Sequence, residues 1–406
     1  MSAEIRLFVN PRWRQEAEYG EAERGVIARS RQAAVEREIR SWPEYRPTPL
    51  YELPALAAEL GLGALYYKDE GPRFGLGSFK ALGGAYGVLR VVQEELRARH
   101  GITASSAELR RGEHAERVAA ITVTCATDGN HGKAVAWGAA SFGCGCVVYV
   151  PGIVSEARQA AIEAQGARVI RVSGTYDDAV RICDAEARSS GRIVVSDQSY
   201  RGYERIPRDI MQGYTLVAAE AAEALAAPPT HVFVQAGVGG LAAAVGGYFW
   251  ERYGAARPKL VCVEPQAADC LLRTAIAGRP AKVPGDLDTV MACLSCGEVS
   301  VLAWRLLARG AAAFLAIDDG AAVTAMRTLA RGAGDDPAMV AGESGAAGFA
   351  GLATAAADPE ARAALALDGA ARVLLFGTEG ATDPQRYEAL VGLSPAEVAA
   401  RRLTRG

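Results

Sequence analysis

The feature that most constrains the fold is an alternation that begins near Val118. Short β-branched runs at Val118–Val123, Cys146–Val150, Arg168–Val172 and Arg192–Val195 read as strands. Alanine-rich stretches near Gly132–Ser141, Ser155–Gln165 and Tyr176–Arg188 read as helices between them. This is the pattern of a parallel, doubly wound α/β sheet. After Asp197 a second series follows, with helix Pro207–Ala226, strand His231–Gln235, helix Gly240–Arg252 and strands Lys259–Glu264 and Ala313–Ala316. Helices Gly320–Arg331 and Gly345–Ala356 and strand Arg372–Phe376 complete it. Two α/β sheets are therefore expected in one chain. Thr103–Arg117, rich in Ser, Glu and Arg, reads as a solvated insertion between a helix and a strand.

Composition narrows the class of partner. Lys plus Arg total 44 against 47 Asp plus Glu, so the net charge is −3 and no global field attracts nucleic acid or an anionic membrane. At 406 residues the chain is long enough for two or three domains, or for one two-lobed enzyme. No apolar run approaches a membrane span, and Met1–Asn10 lacks the order of a signal peptide. The eight cysteines are dispersed, which reads as cytosolic usage; a disulfide among Cys270, Cys293 and Cys296 is left open by the sequence. Cys144-x-Cys146 and Cys293-x2-Cys296 do not make a usual zinc knuckle, and the four histidines do not pair at ligand spacing, so no metal is expected. The expected partner is a small molecule in the cytoplasm.

Glycine-bearing loops then say where that molecule sits, because ligands of open α/β sheets bind at the strand ends. Arg73-Phe-Gly-Leu-Gly-Ser-Phe-Lys80 puts one lysine at a loop-to-helix junction short of bulk, framed by Gly75, Gly77, Gly83 and Gly84. A lysine so placed can act as a nucleophile toward a carbonyl, most commonly as a Schiff base to pyridoxal phosphate. Thr127-Asp-Gly-Asn-His-Gly132 opens a helix, and its backbone N–H groups would suit a substrate carboxylate. Gly237-Val-Gly-Gly240 also opens a helix and lets a phosphate approach closely, without the Lys-Ser/Thr of a nucleotide loop. Gly377-Thr-Glu-Gly380 follows a strand and offers the hydroxyl of Thr378 to a ring nitrogen.

Taken in order, Ser-Phe-Lys80, Gly-Asn-His-Gly132, Gly237-Val-Gly-Gly240 and the late hydroxyl loop resemble the fold type II pyridoxal-phosphate enzymes. Within that superfamily Arg73–Gly84, Ala126–Gly132, Ile206-Pro207 with Ile210–Tyr214, and Gly342-Glu-Ser-Gly-Ala346 are similar to the diaminopropionate ammonia-lyase family. The resemblance runs from about Arg73 to Asp383. It implies two doubly wound α/β domains with the cofactor in the cleft between them, residues 1–85 and 199–406 forming the large cofactor-binding domain and 86–198 the small one. It also implies a homodimer. By position, Lys80 would hold the cofactor's aldehyde with Phe79 beside it. Asn130 would contact the phenolic oxygen, Gly237, Val238, Gly239, Gly240 and Leu241 would wrap the phosphate, and Thr378 would face the pyridine nitrogen. Glu343 would touch cofactor or substrate, or else cap the following helix with Ser344. Thr127, Asp128, Gly129, His131 and Asp197 would face the substrate.

Asp128 is the substrate clue, since related dehydratases carry a small or hydroxyl residue beside Gly-Asn-His. A desolvated carboxylate there, next to a second one, would have its pKa raised toward neutrality and could transfer protons. Two carboxylates, Asp128 and Asp197, suit a substrate with a second amino group, and the resemblance implies that they and Lys80 serve catalysis. His131 reads as a positioning or packed residue rather than a base, and Tyr203 and Tyr214 as packing residues. Gly77 departs from relatives that carry a polar residue there. The expected reaction is α,β-elimination of 2,3-diaminopropionate to pyruvate and ammonia. The competing readings are a β-replacement synthase or a dehydratase acting on serine or threonine, and a non-catalytic ligand-binding relative.

Overall fold

The computed structural model describes residues 5–127, 129–174 and 176–405. It divides into two compact units: Met1–Arg29, Pro47–Ser78 and Val217–Gly406 form one, and Ser30–Arg46 and Phe79–Leu216 the other. Residues 30–46, 79–85 and 199–216 thus fall with the smaller unit and not, as the expected bounds had it, with the larger. The reason is packing that a linear reading does not show. The Ala81–His100 helix lies against the Asn130–Phe142 helix, where a Cβ on Gly138 would come 2.7 Å from the Ala85 Cα. Trp42 packs its ring 5.9 Å from that of Trp137 and 5.8 Å from that of Phe142.

The strands are β1 (Arg6–Val9), β2 (Leu50–Glu52), β3 (Ala64–Asp69), β4 (Thr122–Ala126), β5 (Gly145–Pro151), β6 (Arg168–Val172), β7 (Ile193–Val194), β8 (His231–Gln235), β9 (Lys259–Pro265), β10 (Ala313–Ile317) and β11 (Arg372–Gly377). In the larger unit the order is β1-β10-β9-β8-β11-β3-β2, with parallel pairs throughout except for the antiparallel edges β1 and β2. In the smaller unit the order is β6-β5-β4-β7, all parallel. Central strands such as β8 and β10 are buried along their whole length, as parallel strands covered on both faces must be.

Two readings of the sequence need correction. The expected strand Val118–Val123 is in fact a short helix, Ala115–Ala119, followed by β4; the Val-Ala-Ala run has too little β-branched bulk to hold a strand. Thr103–Arg117 is not simply solvated. Ser105 and Glu108 form a capping box on the helix Ser106–Arg110, and the Arg110 guanidinium lies 5.2, 5.7 and 5.0 Å from the ring centres of Trp42, Trp137 and Phe142. Cation–π contact docks the segment.

The larger unit is tied internally by a buried ionic cluster. Arg73, at the start of the glycine loop, donates Nε and Nη2 to the two oxygens of Glu70, each at 2.8 Å. Its Nη1 and Nη2 donate to the two oxygens of Glu220, again each at 2.8 Å. Lys68 Nζ lies 2.6 Å from Glu220 Oε2, and the Thr48 hydroxyl donates to Glu70 Oε1 at 2.6 Å. Two cations and two anions, all buried, leave no net charge in the interior. Bidentate pairing satisfies most of the polar atoms, which is what makes such burial tolerable.

Burial alone would raise the Glu220 pKa, but the hydrogen bonds and charges of Arg73 and Lys68 outweigh it and bring it down to about 2. A folded-state value below the ordinary one means the stability from this group is complete above about pH 4.5 and is lost as pH falls toward about 2. Glu220→Gln leaves one uncompensated positive charge in the buried cluster and is expected to destabilise the fold by about 3 kcal/mol at neutral pH. It should also flatten the loss of stability between about pH 4.5 and 2, as urea melts across that range would show.

Candidate active site

Lys80 caps the Ala81–His100 helix at its N-terminus, and its Nζ lies 2.5 Å from Asp197 Oδ2. Asp197 is held there by its neighbours. The Tyr203 hydroxyl donates to the Val194 carbonyl and accepts from the Ser196 N–H, both at 2.9 Å, which fixes the segment leading out of β7. The Tyr214 hydroxyl donates to Asp197 Oδ2 at 3.3 Å, and its ring packs 4.7 Å from that of Phe79. Tyr214 reaches this position because the Arg205–Ala224 helix passes unusually close to the Ala81–His100 helix. A Cβ on Gly213 would stand 2.0 Å from the Leu82 carbonyl oxygen, so only glycine fits.

Burial works to raise the Asp197 pKa. The Lys80 charge and the hydrogen bonds from Lys80 and Tyr214 overcome it and hold the carboxyl well below the usual range, so Asp197 is ionised while the Lys80 ammonium stands beside it. His131 is the reverse case. Burial pushes its imidazole below the ordinary value, Lys80 adds to that, and Asp197 pulls the other way. Its Nε2 is 2.7 Å from the Val195 carbonyl, against which it can only donate. The proton therefore sits on Nε2, and Nδ1 carries a lone pair 3.9 Å from Asp197 Oδ2.

Asn130 is buried and begins the Asn130–Phe142 helix. Thr127 plays a part the sequence did not suggest: its Oγ1 accepts from the N–H groups of Gly129 and Gly132 at 3.0 and 3.2 Å. Those amides are taken, and are not available to a carboxylate while that cap holds. Asp128 lies outside the described residues. Lys80, Asp197, His131, Phe79 and Asn130 all belong to the smaller unit.

The larger unit holds the remaining expected residues. Gly237–Leu241 links β8 to the Gly240–Tyr253 helix, with Gly239 at φ +92° as its N-cap. The Val238 carbonyl accepts from Ser300 N at 2.9 Å and the Gly237 carbonyl from the Cys270 thiol at 3.5 Å. The carbonyls are thereby tied back, while the first N–H groups of any helix lack intrahelical acceptors. Gln235 Nε2 donates to Thr378 Oγ1 at 2.7 Å, so the Thr378 hydroxyl proton remains for another acceptor. Glu343 is buried and its Oε1 lies 2.9 Å from Arg386 Nε. It does not cap the next helix, whose N-cap is Ala346 without a side-chain bond. Glu379 accepts from Ser344 N–H at 3.0 Å and from the Cys293 thiol at 3.4 Å, which pins the Gly342–Gly345 turn beside Thr378. All eight cysteines are free thiols.

Tyr214, expected to pack, packs against Phe79 and also donates to Asp197, while Gln235 and Glu379 are groups to which the sequence reading gave no role. For Gln235 there was a signal, a polar residue ending the apolar run His-Val-Phe-Val just before a glycine loop. For Tyr214 there was none beyond its helix.

The pyridoxal-phosphate dependent enzyme family matches residues 42–378, and the chain's cofactor is pyridoxal 5′-phosphate. Within that class the chain belongs to the diaminopropionate ammonia-lyase family of lyases. It is 40% identical over 359 residues to the Salmonella typhimurium diaminopropionate ammonia-lyase, covering 86% of this chain and 89% of that one. The crystal structure of the selenomethionine-substituted holo diaminopropionate ammonia-lyase of Escherichia coli superposes with a TM-score of 0.86 at 35% identity, covering 96% of this chain and 97% of that one. The same enzyme in complex with an aminoacrylate-PLP azomethine reaction intermediate gives 0.84 over the same shares at the same identity. The fold is type II α/β, as the resemblance implied.

The residues fit the cofactor. A Cβ on Gly237 would meet the Cys296 sulfur at 2.9 Å, so that position takes only glycine, and the first N–H groups of the Gly240–Tyr253 helix, which have no acceptor within the helix, suit a phosphate. Thr378, its oxygen engaged by Gln235, can donate to a ring nitrogen that carries no proton.

Tyr214→Phe removes one of the hydrogen bonds to Asp197. A hydrogen bond to a charged group contributes about 1.5–3 kcal/mol, and this one is long at 3.3 Å, so the midpoint of the Asp197 carboxyl is expected to rise by about one pH unit. Carbon-13 NMR of labelled aspartate would follow it.

Proposed function

We propose that the chain eliminates the β-amino group of 2,3-diaminopropionate, consuming one water and giving pyruvate and two molecules of ammonia. The observation that carries this reading is the Lys80–Asp197 pair, an amine at a helix start held by a carboxylate that stays ionised. The family relationship supports the substrate. When bound, the cofactor supplies the electron sink that makes the substrate's Cα–H acidic. Lys80 provides the amine that holds its aldehyde, with Phe79 and Glu343 alongside. Asn130 meets its phenolic oxygen and the amides from Gly237 to Leu241 its phosphate. Thr378 would donate its free hydroxyl proton to the ring nitrogen, a neutral partner that would favour loss of a β substituent over transamination.

Lys80, displaced by the substrate amine, takes the α proton from one enantiomer, and Asp128 takes it from the other. Thr127, Gly129, His131 and Asp197 line the substrate's side, with Asp197 as the fixed anion for its second amino group. After the β amine leaves, the released three-carbon enamine is hydrolysed to pyruvate and the second ammonia. The reading also takes the protein to be a cytoplasmic homodimer. The eight free thiols suit a reducing compartment, and light scattering on the eluting protein would test the dimer.

Mixing the purified protein with D- and L-2,3-diaminopropionate should perturb its visible absorbance and produce pyruvate in the same cuvette. Unchanged absorbance and no pyruvate would end the assignment. Asp128→Asn should spare one enantiomer, and equal loss on both would remove the two-base scheme. Gly239→Ala forces a side chain into a left-handed conformation that costs about 1–2 kcal/mol. It should weaken retention of pyridoxal phosphate by about tenfold, as dialysis against free cofactor would measure.

A further inference from the structure

This inference rests on the elimination just proposed and concerns how the second amino group is read. The surroundings of Asp197 form a place for an alkylammonium ion, and Lys80 itself demonstrates it. Its Nζ sits 2.5 Å from Asp197 Oδ2, 5.3 Å from the Phe79 ring centre and 5.7 Å from that of Tyr214. Both rings lie within the range in which an aromatic face attracts a cation. One further acceptor faces the same spot. His131 Nδ1 is buried and has no hydrogen-bond partner among the described residues, although buried acceptors seldom remain unmatched. It cannot find relief by flipping its proton, because Nε2 must donate to Val195.

We propose that when Lys80 leaves this place for the cofactor's aldehyde, the β-ammonium of the substrate enters it, donating one N–H to Asp197 Oδ2 and another to His131 Nδ1. The two acceptors are 3.9 Å apart, close enough for the divergent N–H groups of one ammonium to reach both. His131 is then the residue that distinguishes an amine at Cβ from a hydroxyl or halide. Those substituents carry one N–H-equivalent donor or none, and cannot serve both acceptors. A positive charge also gains from Asp197 and the two rings what a neutral group does not. The imidazole binds and orients the amine, and takes no proton in this scheme.

The test compares 2,3-diaminopropionate with β-chloroalanine, which undergoes the same elimination without an ammonium at Cβ. A hydrogen bond to a charged group is strong enough that His131→Ala should lower kcat/KM for diaminopropionate by about ten- to a hundredfold, chiefly through KM. For β-chloroalanine the loss should be smaller by at least about tenfold. His131→Asn, whose amide oxygen can stand near the position of Nδ1, should recover part of the loss. A second readout needs no turnover and no variant. The chain has only four histidines, so the full-length protein with its cofactor can be labelled with nitrogen-15 histidine and titrated with ammonium chloride. The Nδ1 resonance of His131 should move saturably with ammonium and stay put with tetramethylammonium chloride, which has no N–H. An unmoved resonance, or equal losses on the two substrates, overturns the clamp. A wild-type enzyme that makes no pyruvate from diaminopropionate overturns the proposed function instead, and the ammonium titration tells the two failures apart.

Discussion

The placement of the catalytic loop begins with Arg73. A guanidinium gripped bidentately by Glu70 on one side and Glu220 on the other has almost no freedom to move. The loop that follows needs that fixed origin. Phe74, Gly75 and Gly77 all take positive φ, an arrangement that a free chain would seldom adopt. At its far end the loop is stitched to the hydroxyl loop by Gly380 N–H donating to the Gly77 carbonyl at 2.9 Å and by a bridge between Ser78 and Glu379. Gly77, which stands where relatives carry a polar residue, is thus explained by backbone: its φ of +81° is left-handed.

Electrostatic roles around Lys80 are divided among groups that a motif would treat alike. Asp197 is held as an anion by the Lys80 ammonium and the Tyr214 hydroxyl, which suits it to hold a cation. His131, in the same first turn as Asn130, is kept neutral by burial, with the Lys80 charge adding to it, while its bond to Val195 fixes which nitrogen carries the proton. One site therefore sets a carboxylate and an imidazole lone pair side by side. Environment, not residue type, made the distinction.

Much of the fold was legible because parallel strands announce themselves as short apolar runs: β6 and β8 match their expected bounds, and β5, β9, β10 and β11 do so to within a residue or two. β1, β2 and β3 went unread, and at Val118 alanine blurred the strand signal. The lysine, the helix-opening glycines and Thr378 were legible because each has a chemical reason for its position. Tyr214 was not, since its hydroxyl reaches Asp197 only through a close helix crossing at Gly213. Nor was the occupation of the Gly129 and Gly132 amides by Thr127, which removes donors that the loop had seemed to offer. Arg110, read as part of a charged surface, owes its place to Trp42, more than sixty positions earlier in the chain. Side-chain partners distant in sequence were what the pattern could not carry.

The strand order of the larger sheet bears on how the chain is made. β3 is synthesised early, yet its parallel neighbour β11 comes about 300 residues later, and at ribosomal speeds of 5–20 residues per second that interval is on the order of 15–60 s. β2 and β3 can pair with each other meanwhile, but two strands alone are marginal. All four strands of the smaller unit emerge within that gap. Nascent chains should therefore carry a finished small sheet while an apolar pair, with Leu65 and Tyr67 destined for burial, waits exposed for the end of translation. Whatever shields that pair from other chains in the interval matters to the yield of the enzyme as much as any residue in its site.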